Sequence, residues 1–187
     1  FNKDSLIGVP GLFKCWLKKN VGIVNAIGTG VADDKVVYSY VNKMIVYYLG
    51  EQPALNQVET YLCHDKIQRD YVLENMSKLV VKPANASGGY GIMIGPKAST
   101  KEREEVAQKI KKNPREYIAQ PLETLSTAPT ITEKNIEPRH LDLRPFVLSG
   151  KTSYVTTGGL TRVALRKGST IVNSSQGGGS KDTLIVE

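Results

Sequence analysis

Apolar residues recur with the spacing of an α-helix in four stretches of the chain. Aspartate or serine stands before three of them, where a side-chain oxygen can accept a hydrogen bond from a free amide of the first turn. In the last stretch Ser99 and Glu102 form a capping box. Within residues 4–19, where Gly8, Pro10 and Gly11 interrupt the pattern early, we therefore predict a short helix packed by Leu12 and Trp16. We predict further helices from Asp33 or Asp34 to about Leu49, from Asp65 onward, and from Ser99 to a stop at Pro114.

Other segments have the alternation or the short apolar runs of β-strands. VGIV predicts a short buried strand, LVVK and GIMIG predict a hairpin around a glycine-rich loop, and EYIAQPLE predicts a strand that ends at Pro121. LRPFVLSG and TSYVTTGG predict antiparallel strands joined at Ser149 and Gly150. TRVALRKGSTIVNSS predicts another hairpin around Lys167 and Gly168, and QGGGSKDT a flexible loop or the approach to a helix. Mixed helices and antiparallel strands indicate an α+β fold.

Charge and cysteine content restrict the partners and the compartment. Lys and Arg total 25 against 18 Asp and Glu, a net charge of +7, which favours an anionic partner. The basic residues are scattered, so a nucleic-acid binder ranks low. Cys15 and Cys63 are far apart, which predicts small apolar fillers in a reducing compartment. No apolar run is long enough to cross a bilayer, so we expect a cytoplasmic protein; a first residue Phe1 suggests a piece of a longer chain.

Lys82 ends an apolar run and is followed by the loop PANASGGYG. In a Walker loop and in protein kinases the lysine follows the glycines, so neither pattern fits. A lysine before the loop can lie beside it, where glycines let backbone amides approach phosphate oxygens. An ordinary hairpin turn with an exposed lysine is the competing interpretation.

The ordered set of motifs resembles a known fold. VGIVNAIGTGVADDK, VVKPANASGGYG, YIAQPLE, HLDLRPFVLSG, GLTRVAL and IVNSSQGGG together resemble the ATP-grasp fold over about residues 20–180. GVPGLF, NAIGTGVADDK and VNSSQGGGSKDT are more similar to circularly permuted ATP-grasp proteins, which are distantly similar to glutathionylspermidine synthases. The resemblance implies two α+β lobes with a nucleotide cleft between them.

The resemblance also implies roles for residues that would bind the nucleotide. Lys35 and Lys82 match the two lysines that lie against the α- and β-phosphates, and residues 84–91 match the flap over them, with Ser87, Gly88 and Gly89 at the phosphates. The hinge that reads adenine corresponds to Gln120, Pro121 and Leu122, and Glu123 would reach the ribose. A solvated Lys35 and a plain strand end at the hinge are the structural alternatives.

On the same grounds, Arg144 and Arg162 match arginines that face the cleft, the second near the γ-phosphate. A guanidinium suits oxygen-borne charge in phosphoryl transfer. Asp142 shares a strand face with Arg144, so an ion pair is an equal alternative there. Arg139, His140 and His64 have only a surface interpretation. Asn173 matches an asparagine near the magnesium site, but the paired carboxylates of the fold are absent downstream, where only Asp182 and Glu187 remain.

These implications predict the ATP-binding portion of an ATP- and Mg²⁺-dependent ligase that joins a carboxylate to an amine or thiol through an acyl-phosphate. The rest of the polypeptide would supply the metal carboxylates. Residues 1–77 would belong to the large lobe, 78–123 to the small lobe with flap and hinge, and 124–187 to the hairpin part of the large lobe. The alternative is a non-catalytic module that binds nucleotide or a protein partner, which the missing carboxylates favour.

Overall fold

The computed structural model describes residues 8–25, 27–86, 88–133, 135–170, 172–173 and 177–183. The chain divides into two compact units, Phe1–Ala54 and Leu55–Glu187. In the described part of the chain, no helix combines the length and the apolar content that a membrane span requires. The division into lobes given above stays a prediction.

The first unit contains α1 (Leu12–Leu17), a 3-10 turn (Thr29–Asp33), α2 (Lys35–Tyr38) and α3 (Val41–Leu49). Asp34 caps α2, since its Oδ1 accepts a hydrogen bond from the Val36 amide at 2.7 Å. The predicted helix to Leu49 is therefore confirmed, with a break after Tyr38. At the break the Ser39 hydroxyl donates to the Val36 carbonyl at 2.7 Å and competes with the helical pattern.

Of two further predictions for this unit, one is confirmed and one was wrong. The short helix predicted around Leu12 and Trp16 is α1, which follows Gly11 in the left-handed region. Residues 21–24 do not form a strand but a bend, and Val24 is 86% exposed. The described residues of this unit contain no strand with which residues 21–24 could pair, and a strand without a neighbour would leave its backbone groups unpaired.

The second unit begins with a four-stranded antiparallel sheet and two helices. In the described residues the strand order is β1 (Tyr61–Leu62), β4 (Tyr117–Pro121), β2 (Leu79–Pro83) and β3 (Met93–Ile94). Asp65 accepts from the Gln68 amide at 2.9 Å, and Ser99 from the Glu102 amide at 3.2 Å, so both predicted helix starts are confirmed. The elements are β1 (Tyr61–Leu62), α4 (Lys66–Asn75), β2 (Leu79–Pro83), β3 (Met93–Ile94), α5 (Thr100–Lys112) and β4 (Tyr117–Pro121).

Alternation along β2 decides which side chains are in the core. Leu79 and Val81 are buried in a cluster with residues of both helices, Val72 and Ile110 among them. Because successive side chains of a strand point to opposite faces, Lys82 is directed away from this core. The cluster also contains Cys63, which is fully buried; burial raises the pKa of its thiol to about 11. The filler prediction is confirmed for Cys63, whereas Cys15 is exposed.

A second antiparallel sheet follows, in which four strands of the described residues pair in the order in which they occur along the chain. The predicted hairpin after LRPFVLSG is confirmed, with Ser149 paired to Ser153 across a three-residue loop. The register shifts between Pro145 and Val147, where proline cannot donate to the ladder. The strands are β5 (Thr127–Ile131), β6 (Ile136–Ser149), β7 (Ser153–Ala164) and β8 (Gly178–Lys181).

The end of the chain differs from the prediction. A turn does occur near Gly168, whose φ is +73°, and the Ser169 amide donates to the Arg166 carbonyl. The described residues after it are not a strand, however, and Ile171 and residues 174–176 lie outside the described part. Instead β8, within the predicted flexible tail, pairs with β7. Gly178 also lets the segment at Val172 and Asn173 approach β8 closely, since a Cβ on Gly178 would lie 2.2 Å from the Val172 carbonyl oxygen.

Candidate functional site

A cleft of about 900 Å³ lies in the second unit, lined by residues of both sheets. Such a volume is within the range of small-molecule sites. Ten of the twelve residues proposed for nucleotide, metal or catalysis line this cleft. They are Lys82, Gly88, Gly89, Gln120, Pro121, Leu122, Glu123, Arg144, Arg162 and Asn173.

The other two residues, Lys35 and Ser87, are not among the described residues that line the cleft. Lys35 is the first residue of α2 in the first unit and is half-buried. Ser87 lies outside the described residues. A role for each in phosphate binding stays a prediction.

The ammonium of Lys82 is held from the neighbouring strand. Its Nζ donates to Oε1 of Gln120 at 2.6 Å, and Nε2 of Gln120 donates to the hydroxyl of Thr60 at 2.9 Å. Val80 is paired with Gln120 in the sheet, so Lys82 lies diagonally across from Gln120 on the same face. Gln120 is only 8% exposed. The positive charge of Lys82 thus lies at the cleft, and hydrogen bonds through Gln120 to Thr60 hold it there.

The loop after β2 brings backbone rather than side chains to the cleft. Gly88, Gly89 and Gly91 all have positive φ, between 71° and 79°. A Cβ on Gly88 would lie 2.9 Å from the ring of Tyr90, so a side chain would be strained there twice over. The prediction of a glycine-dependent loop beside Lys82 agrees with this geometry.

The segment after β4 is tied to the second sheet. Nδ1–H of His140 donates to the carbonyl of Leu125 at 2.8 Å, and the Leu141 amide donates to the carbonyl of Ser126 at 3.0 Å. Leu122 and Glu123, which line the cleft, lie in the segment that these contacts secure. The surface interpretation of His140 missed this contact, since fifteen residues separate the partners.

Arg144 and Arg162 share one face of the second sheet. Arg162 pairs with Asp142 in the register, and Arg144 lies two residues beyond Asp142. The guanidinium of Arg144 donates from Nε and Nη2 to Oδ2 of Asp142, at 3.2 and 3.0 Å. The ion-pair alternative is therefore present, although Arg144 also lines the cleft and its side chain is 48% exposed.

The guanidinium of Arg162 is incompletely paired. Its Nη1 donates to Oδ1 of Asn173 at 3.3 Å. Its Nε is buried and has no hydrogen-bond partner among the described residues. A buried donor without a partner costs free energy, and such groups in native proteins often serve a ligand. Arg162 and Asn173 therefore form the second polar centre of the cleft.

The residues present do not fit a magnesium site. No group of three His, Cys, Asp or Glu side chains that could hold a metal occurs in the part of the chain that the structure describes. Oδ1 of Asn173 already accepts from Arg162, and among the described lining residues Glu123 is the one carboxylate. Mg²⁺ requires several hard oxygen ligands, and the described lining residues do not supply them.

Apolar residues that the motifs did not indicate complete the cleft. They come from the segment before β1, from the loop and strand after the glycines, and from the linker between the sheets: Val58, Ile92, Ile94 and Leu125. Apolar walls with a few polar groups are typical of sites that bind flat organic rings. The strand signal of GIMIG covered Ile92 and Ile94, but only the tertiary structure brings all four residues together.

Arg139 corrects another expectation, that of a surface residue. It is 7% exposed, its Nε donates to the carbonyl of Leu165 at 3.0 Å, and its Nη1 pairs with Glu137 at 2.7 Å. This ion pair lowers the pKa of the Glu137 carboxyl. Arg139 thus joins strand β6 to the end of β7, away from the cleft. His64 is exposed, as expected.

The chain is similar to several known proteins. The family described as circularly permuted ATP-grasp type 2 matches residues 1–164. The chain is 56% identical over 188 residues to an uncharacterised protein of Synechocystis sp.. The aligned region covers 100% of the chain and 39% of that protein. It is 52% identical over 187 residues to an uncharacterised protein of Mycobacterium tuberculosis, covering 100% of the chain and 34% of that protein.

A third relative has a functional name. A protein of Frankia casuarinae, provisionally named a glutamate–cysteine ligase, is 51% identical over 179 residues, which is 96% of the chain and 21% of that protein. The chain therefore spans well under half the length of each of these three relatives.

Proposed function

This chain belongs to the circularly permuted ATP-grasp type 2 family, and from that premise we propose that it is the ATP-binding portion of an ATP-dependent ligase. The enzyme would join a carboxylate to an amine or a thiol. An oxygen of the substrate carboxylate attacks the γ-phosphorus of ATP and releases ADP. The amine or thiol then attacks the acyl carbon of the acyl-phosphate, loses its proton and displaces phosphate.

The observation that carries this proposal is the facing of two cationic centres across one cleft. Lys82 and the glycine loop lie at the first sheet. Arg162 lies on the second sheet, and Asn173 is hydrogen-bonded to it. Phosphoryl transfer is catalysed mainly by positioning and by neutralising the charge on phosphate oxygens. The lysine and the loop amides are suited to the inner phosphates, and the guanidinium fork to the γ-phosphate.

The hinge and the apolar walls supply the second half of the argument. A purine needs an apolar slot with backbone groups at its edge. Val58, Ile92 and Leu125 offer the first, and Pro121 and Leu122 the second. Glu123 stands next along the chain, where a ribose hydroxyl would be bound. A phosphate-binding role for Lys35 is proposed from the resemblance alone.

The metal and the substrates are assigned to the rest of the polypeptide. We propose that Mg²⁺ is held by carboxylates outside this chain, since the described lining residues do not provide a set of ligands. The Frankia relative's name concerns the joining of glutamate to cysteine, a carboxylate–amine reaction of the proposed class. The chain covers only 21% of that protein, so the name can refer to another part of it. A cytoplasmic location stays a prediction.

Calorimetric titration of ATP and ADP into the 187-residue chain, with and without Mg²⁺, tests the proposal. We expect both nucleotides to bind, and Lys82→Ala to weaken both about tenfold or more, because a charge-assisted hydrogen bond contributes about 1.5–3 kcal/mol. Lys101→Ala, on the exposed side of α5, is the matched control and should change nothing. Absence of binding, or equal affinities for wild type and Lys82→Ala, would refute this assignment of the cleft.

A second candidate function is a nucleotide-binding module without catalysis. The absence of a carboxylate cluster among the described residues favours it. The two candidates separate when the chain is studied within a full-length relative. ATP hydrolysis or ligation that depends on Arg162 supports the ligase, whereas ADP binding with no turnover supports the module.

A further inference from the structure

The hydrogen bonds that link Lys82, Gln120, Thr60 and the carbonyl of Val58 all donate in one direction. A lysine ammonium can only donate hydrogen bonds, and the amide of glutamine has one accepting and one donating end. Oε1 of Gln120 accepts from Lys82, so its Nε2 must face the other way, toward Thr60. The Thr60 hydroxyl can accept from Nε2 because its own proton goes to the carbonyl of Val58, at 3.0 Å.

We propose that Thr60 is a positioning residue for the phosphate-binding lysine: it fixes the amide of Gln120 so that Oε1, and not Nε2, faces Lys82. The inference rests on the proposed function of the cleft and adds a residue that the motifs do not indicate. A reversed amide would set two donors against each other at hydrogen-bond distance, and Lys82 would be pushed away from the strand.

The burial and the position of these groups make the Lys82 ammonium depend on the orientation of the Gln120 amide. Gln120 is 8% exposed, so water has little room to replace a lost partner. One of the three ammonium protons is bound by Oε1 of Gln120, which sets the directions of the other two. Thr60 precedes β1, while Gln120 and Lys82 stand on β4 and β2, so three segments fix one ammonium.

The test combines three variants. Thr60→Val keeps the shape of the side chain but removes the hydroxyl, and Thr60→Ser retains it. In Gln120→Glu both side-chain oxygens can accept from Lys82, so Thr60 is no longer needed to orient this side chain. We expect Thr60→Val to weaken ADP binding about threefold to tenfold, as the loss of one hydrogen bond would. Thr60→Ser should remain within about twofold of the wild type.

The decisive comparison is made in the Gln120→Glu background. There Thr60→Val should no longer weaken ADP binding, because both carboxylate oxygens accept. An equal loss in the two backgrounds would mean that Thr60 only supports the packing, and the proposal would be overturned. So would full ADP affinity in Thr60→Val itself.

A measurement without nucleotide separates this inference from the proposed function. The side-chain amide protons of Gln120 can be followed by ¹H–¹⁵N NMR in the ligand-free chain. Thr60→Val should shift one of them toward the position of a solvent-exposed glutamine, and Thr60→Ser should not. If this occurs in a chain that binds no ADP, the proposed function fails and the orientation by Thr60 stands. Unchanged resonances in Thr60→Val would sink the orientation, whatever the affinity.

Discussion

Replacement of Arg162 by methionine tests whether stability and function oppose each other in this cleft. Nε of Arg162 is buried without a partner among the described residues, whereas Nη1 has only a long hydrogen bond of 3.3 Å to Asn173. Methionine has a similar length and no donor to satisfy. We therefore expect Arg162→Met to stabilise the ligand-free chain and to weaken ATP binding.

The magnitudes follow from the same contacts. A buried donor without a partner costs about 1–3 kcal/mol, and the bond to Asn173 returns about 1 kcal/mol. The net gain on substitution should be about 1 kcal/mol, or roughly 2–4 °C in Tm for a chain of this size. The loss of charge-assisted bonds to a γ-phosphate should weaken ATP binding by about 1.5–3 kcal/mol, roughly tenfold to a hundredfold. ADP lacks that phosphate and should bind within about threefold of its wild-type affinity.

Calorimetry with ATP and ADP and thermal unfolding without ligand measure the two effects. Arg166→Met, at an exposed turn outside the cleft, is the matched control and should alter neither. Equal losses for ATP and ADP would remove Arg162 from the γ-phosphate. A fall in Tm of several degrees for Arg162→Met would show that the buried Nε is not a cost, and the reasoning from its missing partner would be wrong.

Two further predictions concern the two cysteines of the chain and the packing around Gly95. In the native chain at about pH 8, iodoacetamide should label the exposed Cys15 and spare Cys63, because burial raises the pKa of the Cys63 thiol to about 11. Mass spectrometry measures the labelling of each cysteine. Rapid labelling of both would contradict the packing around Cys63. Gly95→Ala should lower the unfolding free energy by roughly 3 kcal/mol or more, because its Cβ would meet the Met76 carbonyl oxygen at 1.9 Å. Gly158→Ala, with open space around its Cβ, is the control for denaturant unfolding, and equal effects of the two would refute this explanation.

Much of the local structure could be predicted because its causes are local. Asp34, Asp65 and Ser99 cap the helices that they were expected to cap, since the accepting oxygen and the amide lie two or three residues apart. Alternation likewise predicted the hairpin of β6 and β7. The failure at residues 21–24 has the same logic, since an apolar run forms a strand only beside another strand.

The order of motifs along the chain was enough to predict the family, and most of the residues that line the cleft. The partners of those residues could not be predicted. Gln120 reaches Lys82 over 38 residues and Thr60 over 60, and no local period relates such positions. The burial of Arg139 depends on a carbonyl 26 residues away.

The sequence by itself thus determined the helix ends, the faces of the strands and the chemical types that meet at the cleft. Only the tertiary structure decided that β8 pairs with β7, that Arg144 turns to Asp142, and that Nε of Arg162 finds no partner among the described residues. The physical reason is that caps and alternation are properties of neighbouring residues. Hydrogen-bond partners across a fold are chosen by the packing of whole sheets, which no single segment contains.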